Sequence, residues 1–140
     1  SVHERVPGLT DMDYHHGRDA DRIRDVAIRG ADYARSHGAR ITALTKFMLF
    51  VDAPARNWEP GTLGGAIEGY GAAIASNRGH RHIFAHEVGH LLGARHEDAE
   101  RRLFCITNMK DSLWGVASCQ YYSKANDENI RRYVRARSGR

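Results

Sequence analysis

The stretch His86-Glu87-Val88-Gly89-His90-Leu91-Leu92-Gly93-Ala94-Arg95-His96 constrains this chain more than any other. His86 and His90 are four residues apart, so a helix projects both imidazoles from one face toward a single ion. Glu87 follows the first histidine, where its carboxylate can take a proton from a water that the ion activates. Gly93 tolerates a left-handed backbone, which ends the helix and turns the chain back. His96 then supplies a third nitrogen. Three protein ligands with an open fourth position is how catalytic zinc is held, whereas structural zinc is closed by four. The pattern predicts one zinc ion on His86, His90 and His96, with Glu87 as the catalytic base.

The chain has 140 residues, enough for one domain with its own core. Hydrophobic content of 41% with 27% charged residues is the balance of a soluble globular protein, not of a disordered or membrane-embedded one. No apolar run approaches the length of a membrane span, and no signal-peptide pattern opens the chain. Part of the net charge of +4 is concentrated between Arg131 and Arg140. A nucleic-acid contact ranks below a solvated helix face with a frayed tail over residues 137–140. Cys105 and Cys119 flank a short loop. A bridge between them would contribute about 3 kcal/mol on the chain-entropy model and fits an exported protein. Two free buried thiols fit a cytoplasmic one. The disulfide is the reading preferred here.

Along the chain, residues 1–17 show no period and read as an irregular arm, in which His15 and His16 are simply exposed. From about Asp19, Ile23, Val26, Ala27, Ala31 and Ala34 recur at helical spacing, with Arg22, Asp25, Arg29, Asp32 and Arg35 on other faces. Asp19 or Asp21 can cap this helix, and Gly38 ends it. Ile41 to Val51 reads as a buried strand or two in sequence, and Asp52 to Gly61 as a loop. Gly64 to Ser76 mixes four glycines with apolar residues. It reads either as a strand open to close backbone approach or as a core strand whose glycines are bends. A helix from about His80 to Leu92 carries the first two histidines, with Phe84, Val88, Leu91 and Leu92 as its apolar side. His80 and His82 read as surface residues. A last helix, about Asn126 to Ala136, turns Ile130, Tyr133 and Val134 inward.

The eleven-residue motif resembles the long zinc-binding signature of the metzincin metallopeptidases. That resemblance implies a zinc endopeptidase on one α+β domain. Its small twisted sheet and two long helices lie above the cleft, with a methionine turn and a final helix below. It implies that Met109, in Thr107-Asn108-Met109, is the turn methionine packed under the histidines. By position, Tyr70, Gly71, Ala72 and Ala73, within an edge strand Tyr70 to Ala75, would align the substrate main chain by strand addition. Trp114, Tyr121 and Tyr122 fall where the family builds the wall of its specificity pocket. Glu97 looks like the astacin group, but Asp111 stands where that group has a zinc-binding tyrosine. Tyr121-Tyr122-Ser123 with Asn126 and Asn129 vaguely resembles reprolysin-like bacterial enzymes. The chain therefore reads as compact and divergent, and the short segment before the zinc helix implies either a reduced sheet or a chain missing its start.

The resemblance also implies a secreted or periplasmic monomer acting on protein or peptide substrates, with a propeptide or protein inhibitor as the regulating partner. Because metzincins are usually made as exported precursors, Ser1 reads as a processed or engineered start. Two alternatives stand beside this one. A gluzincin-type peptidase would use His86, His90 and a downstream glutamate, Glu100 or Glu128. A binding module would keep zinc for shape alone, without needing Glu87.

Overall fold

The computed structural model describes residues 1–54, 64–78, 82–110 and 117–138. It is α+β, with a small mixed sheet and three helices: α1 (Asp19–Ser36), β1 (Phe47–Val51), β2 (Gly64–Ile67), β3 (Ala72–Ser76), α2 (Ile83–Leu91), β4 (Cys105–Ile106), β5 (Ala117–Ser118) and α3 (Lys124–Arg137). Short 3-10 turns at Glu68–Tyr70 and His96–Asp98 complete it.

The three-stranded sheet has the order β1-β3-β2, with β1 parallel and β2 antiparallel to β3. Alternation along these strands sends Leu49, Val51, Ala72 and Ile74 to one face, where they form the core with Ile23 and Val26 of α1. Each of the buried Leu, Ile and Val side chains contributes about 1.5–3 kcal/mol relative to exposure. Phe50 points the other way, is half exposed and stacks on Phe84 of α2 with centroids 5.2 Å apart. The two helices therefore flank the sheet. All five residues of β3 are buried, and four of them are alanine or serine, which lets both helices approach closely.

Several expectations are revised. Only Phe47–Val51 of the segment from Ile41 is strand, and its run is not continuously buried. Tyr70 to Ala75 is not an edge strand: Tyr70 ends a 3-10 turn, and β3 pairs on both sides. Among the described residues the edge strands are β1 and β2, and β2 is the one that packs against α2 beside Glu87. The cap of α1 is Arg18, with no side-chain bond; Asp19 and Asp21 instead pair with Arg22 and Arg18 inside the first turn. Arg22 is buried rather than solvated. Gly38 does end α1, at φ +77° with Ala39 N–H bonded to the Ala34 carbonyl. The N-terminal arm is irregular as expected, yet it is not detached: Val6 is buried, and Met12 and Tyr14 pack against the core.

Cys105 and Cys119 form a disulfide that links the β4 and β5 region. No described helix is long and apolar enough to cross a membrane. The loop prediction beyond Pro54, His80, Asp111, Trp114 and the end of the basic tail lie outside the described residues.

Candidate metal centre

Helix α2 does for His86 and His90 what their spacing requires: their rings meet edge to face with centroids 4.8 Å apart. The helix ends on Gly93 at φ +83°, and Ala94 N–H returns to the Gly89 carbonyl at 2.9 Å, the double-turn closure that a left-handed residue permits. The chain is thereby reversed, and the next turn delivers His96. The Nε2 atoms of the three histidines lie 3.2 Å (His86–His90), 2.9 Å (His90–His96) and 2.9 Å (His86–His96) apart.

These side chains fit a metal ion. A tetrahedral site with zinc–nitrogen bonds of about 2.0–2.1 Å spaces its ligand atoms roughly 3.3 Å apart. The tautomer of His86 agrees. Its Nδ1 lies 2.8 Å from the Asn108 carbonyl oxygen, which can only accept. A neutral His86 therefore carries its proton on Nδ1, and its Nε2 lone pair faces the cluster, the arrangement that orients metal-ligating histidines. Burial decreases across the triad: His86 is buried, His90 intermediate and His96 exposed. The site opens to solvent on the His96 side.

Glu87 is buried beside this cluster. Burial pushes its carboxyl up to about 7. A cation held by the neighbouring histidines would act in the opposite direction, favouring the carboxylate. The space for Glu87 is made by Gly64 at the start of β2: a Cβ on Gly64 would stand 2.5 Å from Glu87 Oε1. The glycine-rich segment is thus one of close approach, but at β2 and toward the Glu87 side chain.

Beneath α2 lies Met109, fully buried in a turn closed by Lys110 N–H on the Thr107 carbonyl at 2.9 Å. A Cβ on Gly89 would stand 2.4 Å from Met109 Sδ and 2.9 Å from Tyr122 Cε1. The second variable position of the HExxH core must therefore be glycine-sized, because sulfur and ring press on the helix backbone between the two histidines.

Tyr122 also departs from its expected role as pocket wall. Its ring packs on α2 and its hydroxyl donates to the Ala85 carbonyl. Burial, and secondarily the charge of Asp127, pushes that hydroxyl up to about 12, so it stays a donor. Tyr121 is half exposed. Ala72 and Ala73, expected at the substrate, are completely buried in the middle strand. His82 is buried at the cap of α2 rather than on the surface.

The residues that hold His96 were not singled out as supports in the sequence. Asn126 is fully buried at the start of α3; its Oδ1 accepts from Arg95 N–H at 2.7 Å and its Nδ2 donates to the Arg95 carbonyl at 3.0 Å. One turn on, Asn129 Nδ2 donates to Asp98 at 2.6 Å, and the Ser123 hydroxyl donates to the Asp98 carbonyl. Two of these groups also build the helix start, since Ser123 Oγ accepts from Asn126 N–H at 3.2 Å. The pattern Ser-x-x-Asn is visible in the sequence as a cap, but nothing in it says what the cap grips.

Neither glutamate of the gluzincin alternative joins the triad. Glu100 pairs with Arg102, and Glu128 is exposed on α3. Among the described residues, the candidate metal group is histidine alone. A comparison with protein-family models finds none that matches this chain, and a search of curated proteins finds no match either.

Proposed function

We propose that this chain is a zinc-dependent endopeptidase of metzincin type. The observation that carries the reading is the convergence of three imidazole Nε2 atoms within 3.2 Å of one another, with a buried carboxylate on the adjacent residue. Histidine nitrogens with an open side are the donor set of catalytic zinc. When bound, the ion polarises the attacking water and the scissile carbonyl.

The residues of the chain supply the rest. Glu87 accepts the proton of the attacking water and passes it to the leaving amine. Its desolvated pocket keeps the carboxyl basic enough for both transfers. The free edge of β2 takes the role first given to Tyr70–Ala75: the substrate main chain pairs with it in extended form. Met109 and Tyr122 hold α2 from below, so that the histidines keep their aim. The Cys105–Cys119 bridge supports an exported protein.

A binding module that uses zinc only for shape gives no account of the space reserved for Glu87 beside the triad. The test is cleavage of a diverse peptide library read by mass spectrometry, with wild type and Glu87→Ala compared in zinc. Cuts by wild type alone, with metal content equal in both, are the expected result. A Glu87→Ala protein that cuts as fast as wild type would overturn the mechanism.

A further inference from the structure

Between the edge of β2 and the length of α3 lies an open cavity of about 480 Å³, which reaches the metal cluster through His90. Its walls carry three guanidiniums, Arg95, Arg132 and Arg137, against one carboxylate, Glu68. That carboxylate is already engaged, 3.2 Å from Arg137. Arg137 also lies 3.7 Å over the ring of Tyr133, which forms part of the wall. From behind, Lys46 donates to the Tyr133 hydroxyl at 2.6 Å and adds another positive charge. Among the described residues Arg95 pairs with Glu97 alone, at 3.8 Å with both side chains about two-thirds exposed, and Asp98 is held by Asn129. For Arg132 the described residues offer no carboxylate within ion-pair distance. Arg132 therefore lines the cavity with no carboxylate partner among the described residues, and Arg95 lines it with only a long, exposed ion pair.

We propose that this cavity is a subsite for a carboxylate of the peptide substrate, held by Arg132 with Arg95 beside it. The inference rests on the peptidase reading and names its substrate class: peptides with a carboxylate on the His90 side of the cut bond. A peptide paired along β2 passes over Ala66, which also lines the cavity, so a side chain pointing down from that strand enters it. Guanidinium is suited to the task because its planar fork meets both oxygens of a carboxylate. Two sources offer that group, an Asp or Glu side chain and the free end of a short peptide.

The test uses a library of ten-residue peptides in Glu and Gln twins, each made with a free and with an amidated C-terminus. Cleavage is compared for wild type, Arg132→Ala, Arg132→Glu and Arg131→Glu, the last exposed on α3 and outside the cavity. Binding is measured separately, by fluorescence anisotropy of fluorescein-labelled twins on zinc-loaded Glu87→Ala protein. Wild type should favour Glu over Gln about tenfold, the scale of one charge-assisted contact. Arg132→Ala should bring that ratio close to unity, Arg132→Glu should invert it, and Arg131→Glu should keep it. A preference confined to peptides with free ends would support the subsite and identify its carboxylate as the chain terminus. Cutting without any Glu preference would overturn the subsite and leave the peptidase standing. A binding preference that depends on Arg132, without cutting of any peptide, would uphold the subsite and overturn the peptidase. Equal loss in Arg131→Glu and Arg132→Glu would mean a diffuse field rather than a site, and would also overturn it.

Discussion

The inner and outer parts of the histidine triad are held by different means. His86 and His90 sit on α2, buried or half-buried, with Met109 and Tyr122 against the helix backbone and the Asn108 carbonyl fixing one ring. His96 is exposed on a short turn, and its place depends on Asn126, Asn129 and Ser123, which lie about thirty residues further along the chain. Helical geometry sets the first pair locally. The third histidine is set by a contact between distant segments. The inner part buries Glu87 beside a braced helix, and the outer part leaves His96 open to solvent.

The strongest way to divide the two is to remove a ligand from each. His86→Ala and His96→Ala should each weaken zinc binding more than about a hundredfold, beyond the 10–100-fold range for losing a supporting group, as read by competition with a chromophoric chelator. In the metal-free proteins they should differ. His86→Ala leaves the buried Asn108 carbonyl without its donor and should lower stability by about 1–3 kcal/mol in denaturant unfolding, whereas His96→Ala should not. Equal stability of the two variants would break the distinction.

Gly64→Val should strike the inner part without touching a ligand. Its Cβ would displace the Glu87 carboxylate, so turnover should fall by roughly 10²-fold or more, the worth of a positioned base, while zinc affinity holds. Normal turnover in that variant would mean that Glu87 has room to spare. Asn126→Ala attacks the outer part. It should weaken zinc binding by roughly 10–100-fold, as loss of a supporting contact does, while His86 keeps its NMR signature of an Nδ1 proton. If His86 is disturbed as much as His96, the two parts form a single unit. Tyr122→Phe should have the smallest effect, about 1 kcal/mol of stability from the lost bond to Ala85, with zinc affinity unchanged.

Much of the site was legible because its information is local. The four-residue spacing of His86 and His90, the left-handed Gly93 and the adjacent Glu87 are short-range features, and backbone geometry translates them directly. Helix α1 was legible for the same reason, from a period in Ile23, Val26 and Ala27 that a 3.6-residue turn converts into one face. Strand order was not. Tyr70 to Ala75 has the composition of a strand, but whether a strand is central or at an edge depends on what pairs with it. The antiparallel return of β2 covers the side expected to be free. Tyr122 was misread similarly: an aromatic residue after a methionine turn can line a pocket or brace a helix, and only its contact with Gly89 and Ala85 decides between them.

The sequence by itself determined the three histidines that meet, the glutamate next to the first of them, the turn that brings the third histidine back, and the helices whose periods are written in neighbouring residues. All of these depend on interactions within a few residues. Tertiary structure alone decided that β3 is central and β2 an edge strand, that Gly64 makes room for Glu87, that Asn126 grips the turn before His96, and that three arginines line a cavity reaching His90. Each of those facts needs two segments remote in the chain to meet. Their meeting follows from burial of the whole core, which no local pattern encodes.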